Sequence, residues 1–340
     1  MHDKKIAHII IPGLEAYSQF YALEYSDKLA GLLNRSEKVA IDDDYYGLLS
    51  TLFESGSSLP VAGLKQKCEP GGNEYLLCAD PVYMQADRSQ LLMFDSHDLE
   101  ISMSEAKQII ESLNTHFIED GLEFSIINEC QWTVCTSDFT RVDTTALYRV
   151  INRPLLDAMP TGEHGSQWKA YINEIQMLLY HHDVNLVRQD KGMKTVNGIW
   201  FWGGGACPEE KLNQHTHLRQ VFTDEQWLLH LAKLDTIAAL PNDAFGQYSV
   251  KNNNSDSGDI LYIDTRLSSE YKRLSSQQFT QWILSAEKNL WSHVKPMLAN
   301  NVDQINIYPG NGFCYEVTSS TVLSTLLAKI KAYMQPIIGR

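Results

Sequence analysis

The sequence predicts an α/β protein, and three observations carry that expectation. Short apolar runs that read as strands alternate along the chain with apolar stripes of helical period. One such run, residues 196–202, leads into Gly203-Gly204-Gly205, so a buried strand is expected to end in a glycine loop. Ligands of α/β proteins gather outside the carboxyl ends of strands, which makes that loop a candidate site. Finally, 340 residues exceed what one hydrophobic core usually organises, so two domains or one domain with a large insertion are expected.

The elements follow in order. Residues 6–11 read as a buried strand closed by Pro12-Gly13, and residues 15–34 as helical. Turn-rich breaks fall at 55–60 and 69–73, and residues 91–94 form a further strand. Ser102 followed by Glu105 has capping-box spacing, and Ala106, Ile109, Ile110, Leu113 and Phe117 continue at helical period to Gly121. Residues 124–127 and 132–135 flank a polar turn and predict a hairpin. Gly165-Ser166 opens a helix that buries Trp168, Tyr171, Ile172, Ile175, Leu178 and Leu179. After the glycine segment, Thr223 and Gln226 repeat the capping spacing ahead of Trp227, Leu228, Leu231 and Leu234. Residues 251–259 are a polar loop and the best linker candidate, with a strand at 260–263. A long helix is expected over 275–294, with Trp282 and Trp291 inward, stopped by Pro296. Residues 305–308 and 313–317 bracket Pro309-Gly310-Asn311-Gly312 as a hairpin, and a last helix fills 320–334.

A net charge of −14 without a lysine or arginine cluster argues against binding to nucleic acid. Apolar runs stay far below the roughly 18 residues of a membrane span, and the first apolar run is too short for a signal peptide. Six scattered cysteines (Cys68, Cys78, Cys130, Cys135, Cys207 and Cys314) fit free thiols in a cytoplasmic protein better than a disulfide framework.

Each candidate site has two readings. Gly203, Gly204 and Gly205 either cradle an anion through backbone N–H groups or form a tight turn that lets Trp200 and Trp202 pack. Arg149, Arg153 and Arg188 offer guanidinium forks to a phosphate-like anion, or serve ion pairs. Asn185 and Asn197 orient a polar ligand or satisfy loop backbone groups. Cys207, His215, His217 and His230 are zinc-ligand types without a zinc spacing. Asp42-Asp43-Asp44 holds a cation or forms a solvated cap. His164 has no serine or cysteine nucleophile beside it, and His181-His182 suits the negative end of a helix.

The order of motifs resembles a known family. Asp80-Pro81-Val82, residues 91–95, Ile101 to Ala106 with its helix, Pro160-Thr161-Gly162, residues 184–188 and residues 196–205 together resemble archaeal-type cofactor-independent phosphoglycerate mutases. The resemblance extends to a bacterial group of regulatory proteins, the RpfE type, which often carries the mutase label. It implies an alkaline-phosphatase-like mixed sheet core flanked by helices, built from residues 1–78 and 203–340, with a smaller α/β domain inserted at 79–202. It also implies two divalent cations and a phosphoryl-carrying serine. The family's first metal aspartate, however, follows the first strand, where this chain has Ile11-Pro12-Gly13. The Asn-Ser-Glu-x-Gly-His nucleophile motif and any Asp-His pair after His230 are absent, and His293 alone follows. The chain is therefore expected to lack a catalytic or metal site and a cofactor. It would bind a small anion or a protein partner in an inter-domain cleft near the glycines. The alternative is a phosphoryl-transfer enzyme with ligands rearranged onto Asp42 to Asp44, Asp95, His97 and Asp98.

Overall fold

The computed structural model describes residues 4–15, 27–41, 45–55, 59–66, 75–87, 90–94, 96–136, 142–151, 155, 158–206, 216–246, 258–268 and 274–320. The chain divides into two compact units, Met1–Gly56 with Leu212–Arg340, and Ser57–Lys211.

The first unit contains β1 (Ile6–Ile10), α1 (Asp27–Leu33), β2 (Glu37–Ala40) and α2 (Tyr45–Leu52). It resumes with β8 (Leu218–Phe222), α8 (Gln226–Leu234), β9 (Ala238–Leu240) and β10 (Asp259–Ile263). It ends with α9 (Ser276–Asn289), α10 (Val294–Asn300), β11 (Gln304–Tyr308) and β12 (Phe313–Thr318). The strands form one sheet in the order β2-β12-β11-β1-β10-β8-β9. From β11 to β9 every neighbour is parallel, whereas β12 and β2 close one edge antiparallel. The α/β expectation therefore holds. Parallel strands need crossovers and bury both faces, which is why β1 reads as a nearly continuous apolar run. Ala7, Ile9, Ile305, Ile307 and Val317 pack against Phe279, Trp282, Ala286 and Trp291 from the helical side.

Three local readings change here. Thr223 does not cap α8 through a box; its hydroxyl accepts the Glu225 N–H at 3.1 Å, and the cap residue is Glu225. The long helix breaks earlier than expected, at Leu290, through a 3-10 turn at Trp291–His293. Pro296 then sits in the first turn of α10, where its missing N–H leaves no helical bond unmade. The expected helix at 320–334 and the polar loop at 251–257 lie outside the described residues.

The second unit contains α3 (Val61–Gln66), β3 (Tyr75–Asp87), β4 (Gln90–Phe94), α4 (Met103–His116), β5 (Leu122–Asn128) and β6 (Gln131–Thr136). It continues with α5 (Leu147–Val150), α6 (Gly165–Tyr180), α7 (Asp183–Asp190) and β7 (Gly198–Ala206). The sheet runs β4-β3-β6-β5, with β7 on the other side of β3, and all pairs are antiparallel. Helices α4 and α6 cover one face, with Leu77, Ala79, Trp132, Val134, Ile199 and Phe201 packed against Ile109, Leu113, Trp168, Ile172 and Ile175. The boundaries drawn from sequence at 78/79 and 202/203 fall within β3 and β7, at residues that pair with each other: Cys78 with Trp202 and Ala79 with Phe201.

The glycine segment is strand, not loop. Gly203, Gly204 and Gly205 continue β7 to Ala206, and Gly205 pairs with Leu76 across a register shift in β3. The close approach that three glycines permit is made from within the same unit. A Cβ on Gly205 would lie 2.5 Å from Pro60 Cβ, one on Gly204 2.6 Å from the Tyr75 hydroxyl, and one on Gly203 3.1 Å from Val61 Cβ. The residues that open α3 thus pack directly on bare backbone.

Candidate functional site

The carboxyl ends of β1, β8, β10 and β11 lie along one edge of the first unit's sheet, the edge at which parallel sheets bind ligands. After β1 the chain passes through Pro12 to Gly13, which has φ 87°. The Ile11 N–H donates to Tyr308 O at 3.0 Å, and the Asp264 N–H to Ile10 O at 3.0 Å, so the ends of β10 and β11 flank this turn.

Asp264 is the buried carboxylate of this edge, immediately after β10. Its Oδ1 accepts from Arg266 Nε at 2.8 Å and from the Arg266 backbone N–H at 3.2 Å. Its Oδ2 accepts from Arg266 Nη2 at 2.5 Å and from Trp282 Nε1 at 2.9 Å. The fork is the bidentate geometry in which guanidinium binds carboxylate best. The bond to Asp264 in turn holds the Arg266 guanidinium above its ordinary pKa. Beside it, the Thr265 hydroxyl donates to the Glu225 carboxylate. Sequence reasoning missed this cluster. Its signal is a short one, an Asp directly after the buried run 260–263 with an Arg two residues on, and nothing local marks Trp282 as the third member.

In the second unit the expected ligand-binding residues engage their own scaffold. Asn185 is buried; its Nδ2 donates to Leu179 O and Val196 O, each at 2.7 Å, and its Oδ1 accepts the Val196 N–H at 2.9 Å. Asn197 pairs with the backbone of Met84 through both amide atoms, at 2.7 and 2.8 Å. Trp202 donates from Nε1 to Asp80 Oδ2 at 2.7 Å, and the Lys65 ammonium sits 4.8 Å from the centre of its ring. Arg188 donates to Lys194 O at 2.7 Å, to Glu105 Oε1 at 2.9 Å and to Leu99 O. Arg149 is exposed in the last turn of α5, and Arg153 lies outside the described residues.

Two titrations bear on this unit. Burial lowers the His182 pKa; its ring caps α7 by accepting the Val184 N–H at 3.2 Å. Burial pushes the Glu105 carboxyl up, but hydrogen bonds from the Ser102 backbone and hydroxyl and from Arg188 outweigh it, and the net shift is downward. In both cases the folded state binds protons less readily than the unfolded chain. Stability is thus present above the unfolded pKa and lost as pH falls through the folded one. Loss begins below about pH 6.5 with His182 and continues below about pH 4.3 with Glu105. In urea melts across pH, His182→Asn, which keeps a capping oxygen, is expected to flatten the first step and leave the second.

The chain matches no family model. About a third of it is similar in sequence to cofactor-independent phosphoglycerate mutases. It is 27% identical over 111 residues to the 2,3-bisphosphoglycerate-independent phosphoglycerate mutase of Methanosarcina barkeri, covering 32% of this chain and 28% of that protein. It is also 27% identical over 119 residues to the enzyme of the same name from Methanosarcina acetivorans, covering 34% and 30%. The match thus spans less than a third of the length of these curated relatives. Among solved structures, a cofactor-independent phosphoglycerate mutase from Thermoplasma acidophilum aligns over 93% of this chain and 90% of its own, at 11% identity and a TM-score of 0.43.

The mutase resemblance implies two cations at the sheet edge, and the described residues there do not fit them. Pro12 offers no side-chain donor where a carboxylate is needed, and both oxygens of Asp264 are already engaged by Arg266 and Trp282. Among the described residues no three His, Cys, Asp or Glu side chains gather as a metal-holding group. His217 is exposed, 3.9 Å from Glu54, and His230 is half-buried. Asp42 to Asp44, Asp95, Cys207 and His215 lie outside the described residues, as does the side chain of His97. Of the described cysteines, Cys78 and Cys314 are buried and Cys130 and Cys135 half-buried. No helix among the described residues is long and apolar enough to cross a membrane.

Proposed function

We propose that this chain is a non-catalytic regulatory or binding protein derived from the cofactor-independent phosphoglycerate mutases, of the RpfE type. It recognises a small anion or a partner chain rather than transferring a phosphoryl group. One observation carries the reading: at the carboxyl edge of the parallel sheet, the guanidinium of Arg266 stands where a cation would neutralise Asp264. A half-exposed arginine of the same chain satisfies the buried carboxylate without a metal, and Pro12 supplies no second carboxylate to draw one in.

The test is direct. Purified full-length chain is analysed for bound metal by inductively coupled plasma spectrometry and assayed for interconversion of 3- and 2-phosphoglycerate with Mn²⁺ or Mg²⁺. The expected result is neither stoichiometric metal nor turnover; two bound cations with sustained turnover would overturn the reading and favour rearranged ligands. Pro12→Asp restores the carboxylate that the resemblance calls for. It is expected to leave Mn²⁺ binding by titration calorimetry unchanged, because Arg266 still engages Asp264.

A further inference from the structure

Among the described residues, β5 is the last strand on its side of the second unit's sheet. A last strand presents main-chain N–H and C=O groups that can template pairing with another strand. β5 runs antiparallel to β6, with Leu122 opposite Thr136, Phe124 opposite Val134 and Ile126 opposite Trp132. In such a ladder alternate residues point their main-chain groups at the neighbour, and the residues between point theirs away. Phe124 points away from β6. Its N–H donates to Asn114 Oδ1 at 2.6 Å, and its C=O accepts from Asn114 Nδ2 at 3.0 Å. Two residues earlier, the Leu122 N–H points the same way and donates to Phe117 O at 3.3 Å.

Asn114 lies in the last turn of α4, half-buried. Its amide carries the donor and the acceptor of a peptide group. It therefore meets Phe124 as one residue of a neighbouring strand would. The unit uses the same device where β7 begins. The Asn197 N–H donates to Val82 O at 3.2 Å, and its side chain then takes both main-chain groups of Met84, two residues further along β3.

The composition of β5 gives such a cover a purpose. Leu122-Glu123-Phe124-Ser125-Ile126-Ile127-Asn128 has one charge and neither proline nor glycine, as in segments that pair with copies of themselves. Lysine and proline, the common guards of an edge, are both missing from it. A register shift between Ile126 and Asn128 disrupts the far end, which leaves the middle to be covered.

We propose that Asn114 is an edge guard: its amide holds the place of a neighbouring strand on β5, and without it the β5 edges of two copies pair antiparallel. A second copy is the occupant because the segment suits self-pairing, and a two-fold axis across the edge sets identical strands antiparallel. The inference stands on the second unit alone and does not depend on the function proposed above.

The test is the mass of the full chain in sedimentation equilibrium over a range of concentrations. Asn114→Ala is expected to raise it toward twice that of the unmodified chain as concentration increases. Asn114→Asp keeps an acceptor for the Phe124 N–H and adds a charge to the edge, and is expected to keep the unmodified mass. Adding Ser125→Glu to Asn114→Ala is expected to reverse the association. It sets a second carboxylate on the face that carries Glu123, so paired copies would bring like charges together. Hydrogen exchange of residues 122–128 in the alanine variant is expected to be faster than in the unmodified chain when dilute, and slower again once it associates. Circular dichroism checks folding, and Asn114→Ser, too short to span both groups, replaces the alanine variant if that one unfolds. A folded variant with the unmodified mass would overturn the proposal. Association that Ser125→Glu leaves intact would also overturn it, by placing the contact elsewhere. Unfolding of both variants would overturn it too, since Asn114 would then be a structural tie between α4 and β5.

Discussion

Replacing Arg188 with alanine is expected to destabilise the second unit by about 3–5 kcal/mol, the range for removing one partner of a buried ion pair. The side chain is 1% exposed, so solvent screens little of its interaction. It ties its own turn, through the Lys194 carbonyl after α7, to one segment distant in sequence, through the Glu105 carboxylate in the first turn of α4 and the Leu99 carbonyl just before that helix. Glu105 meanwhile closes the capping box of α4, accepting the Ser102 N–H at 2.8 Å while the Ser102 hydroxyl accepts the Glu105 N–H at 3.3 Å. Removing the guanidinium takes this donor from the buried Leu99 carbonyl and the partly buried Lys194 carbonyl and leaves a carboxylate without its counter-charge. Urea unfolding followed by circular dichroism measures the loss. Glu105→Gln is expected to cost less, because the amide oxygen still caps, and the double variant Arg188→Ala with Glu105→Gln is expected to fall short of the sum of the two. Additive losses would show that the pair is not coupled. A loss near zero would return Arg188 to the role of an anion-binding group.

The same residue shows where the sequence is legible. Ser102, Glu105 and the stripe from Ala106 to Phe117 specify α4 from cap to end, and the structure has every part of it. The hairpins β5–β6 and β11–β12 are equally plain, since apolar runs flank short polar turns. Trp168, Trp227, Trp282 and Trp291 are buried, as helical stripes predict. What local pattern cannot convey is the partner. That Arg188 binds Glu105 rather than an anion depends on a contact spanning 83 residues, and that Asp264 is held by Trp282 depends on a helix crossing the sheet end. β2 escaped notice because Glu37-Lys38-Val39-Ala40 is an exposed edge strand whose charges discourage further pairing, with Lys38 lying 3.7 Å over the Phe313 ring. The glycines of β7 show the converse. Their conformational freedom is plain from sequence, but only the packing of Pro60, Val61 and Tyr75 against them reveals which group makes the close approach.

Gly13→Ala is expected to be the most damaging small substitution in the first unit. At φ 87° the residue already lies where a side chain strains the backbone, by about 1–2 kcal/mol. A Cβ there would also come 1.9 Å from the Leu267 oxygen and 2.8 Å from its carbonyl carbon, both main-chain atoms that cannot rotate away. The tail of β10 would have to move, and with it Asp264, whose N–H is bonded to Ile10 O. Gly310 hems the turn from the other side, for a Cβ on it would stand 3.0 Å from the Gly13 nitrogen. Strain and displacement together are expected to exceed about 3 kcal/mol. Gly192→Ala is the matched control: φ is 68°, so the backbone strain is similar, but nothing lies within 4 Å of the added methyl. Its expected cost is the strain alone, about 1–2 kcal/mol. Urea midpoints of the two variants against the unmodified chain measure the difference. Equal shifts would mean that the segment after β10 is not seated on the turn after β1. The close seating of Pro12-Gly13 at the mouth of the sheet, on which the arrangement around Asp264 depends, would then be lost.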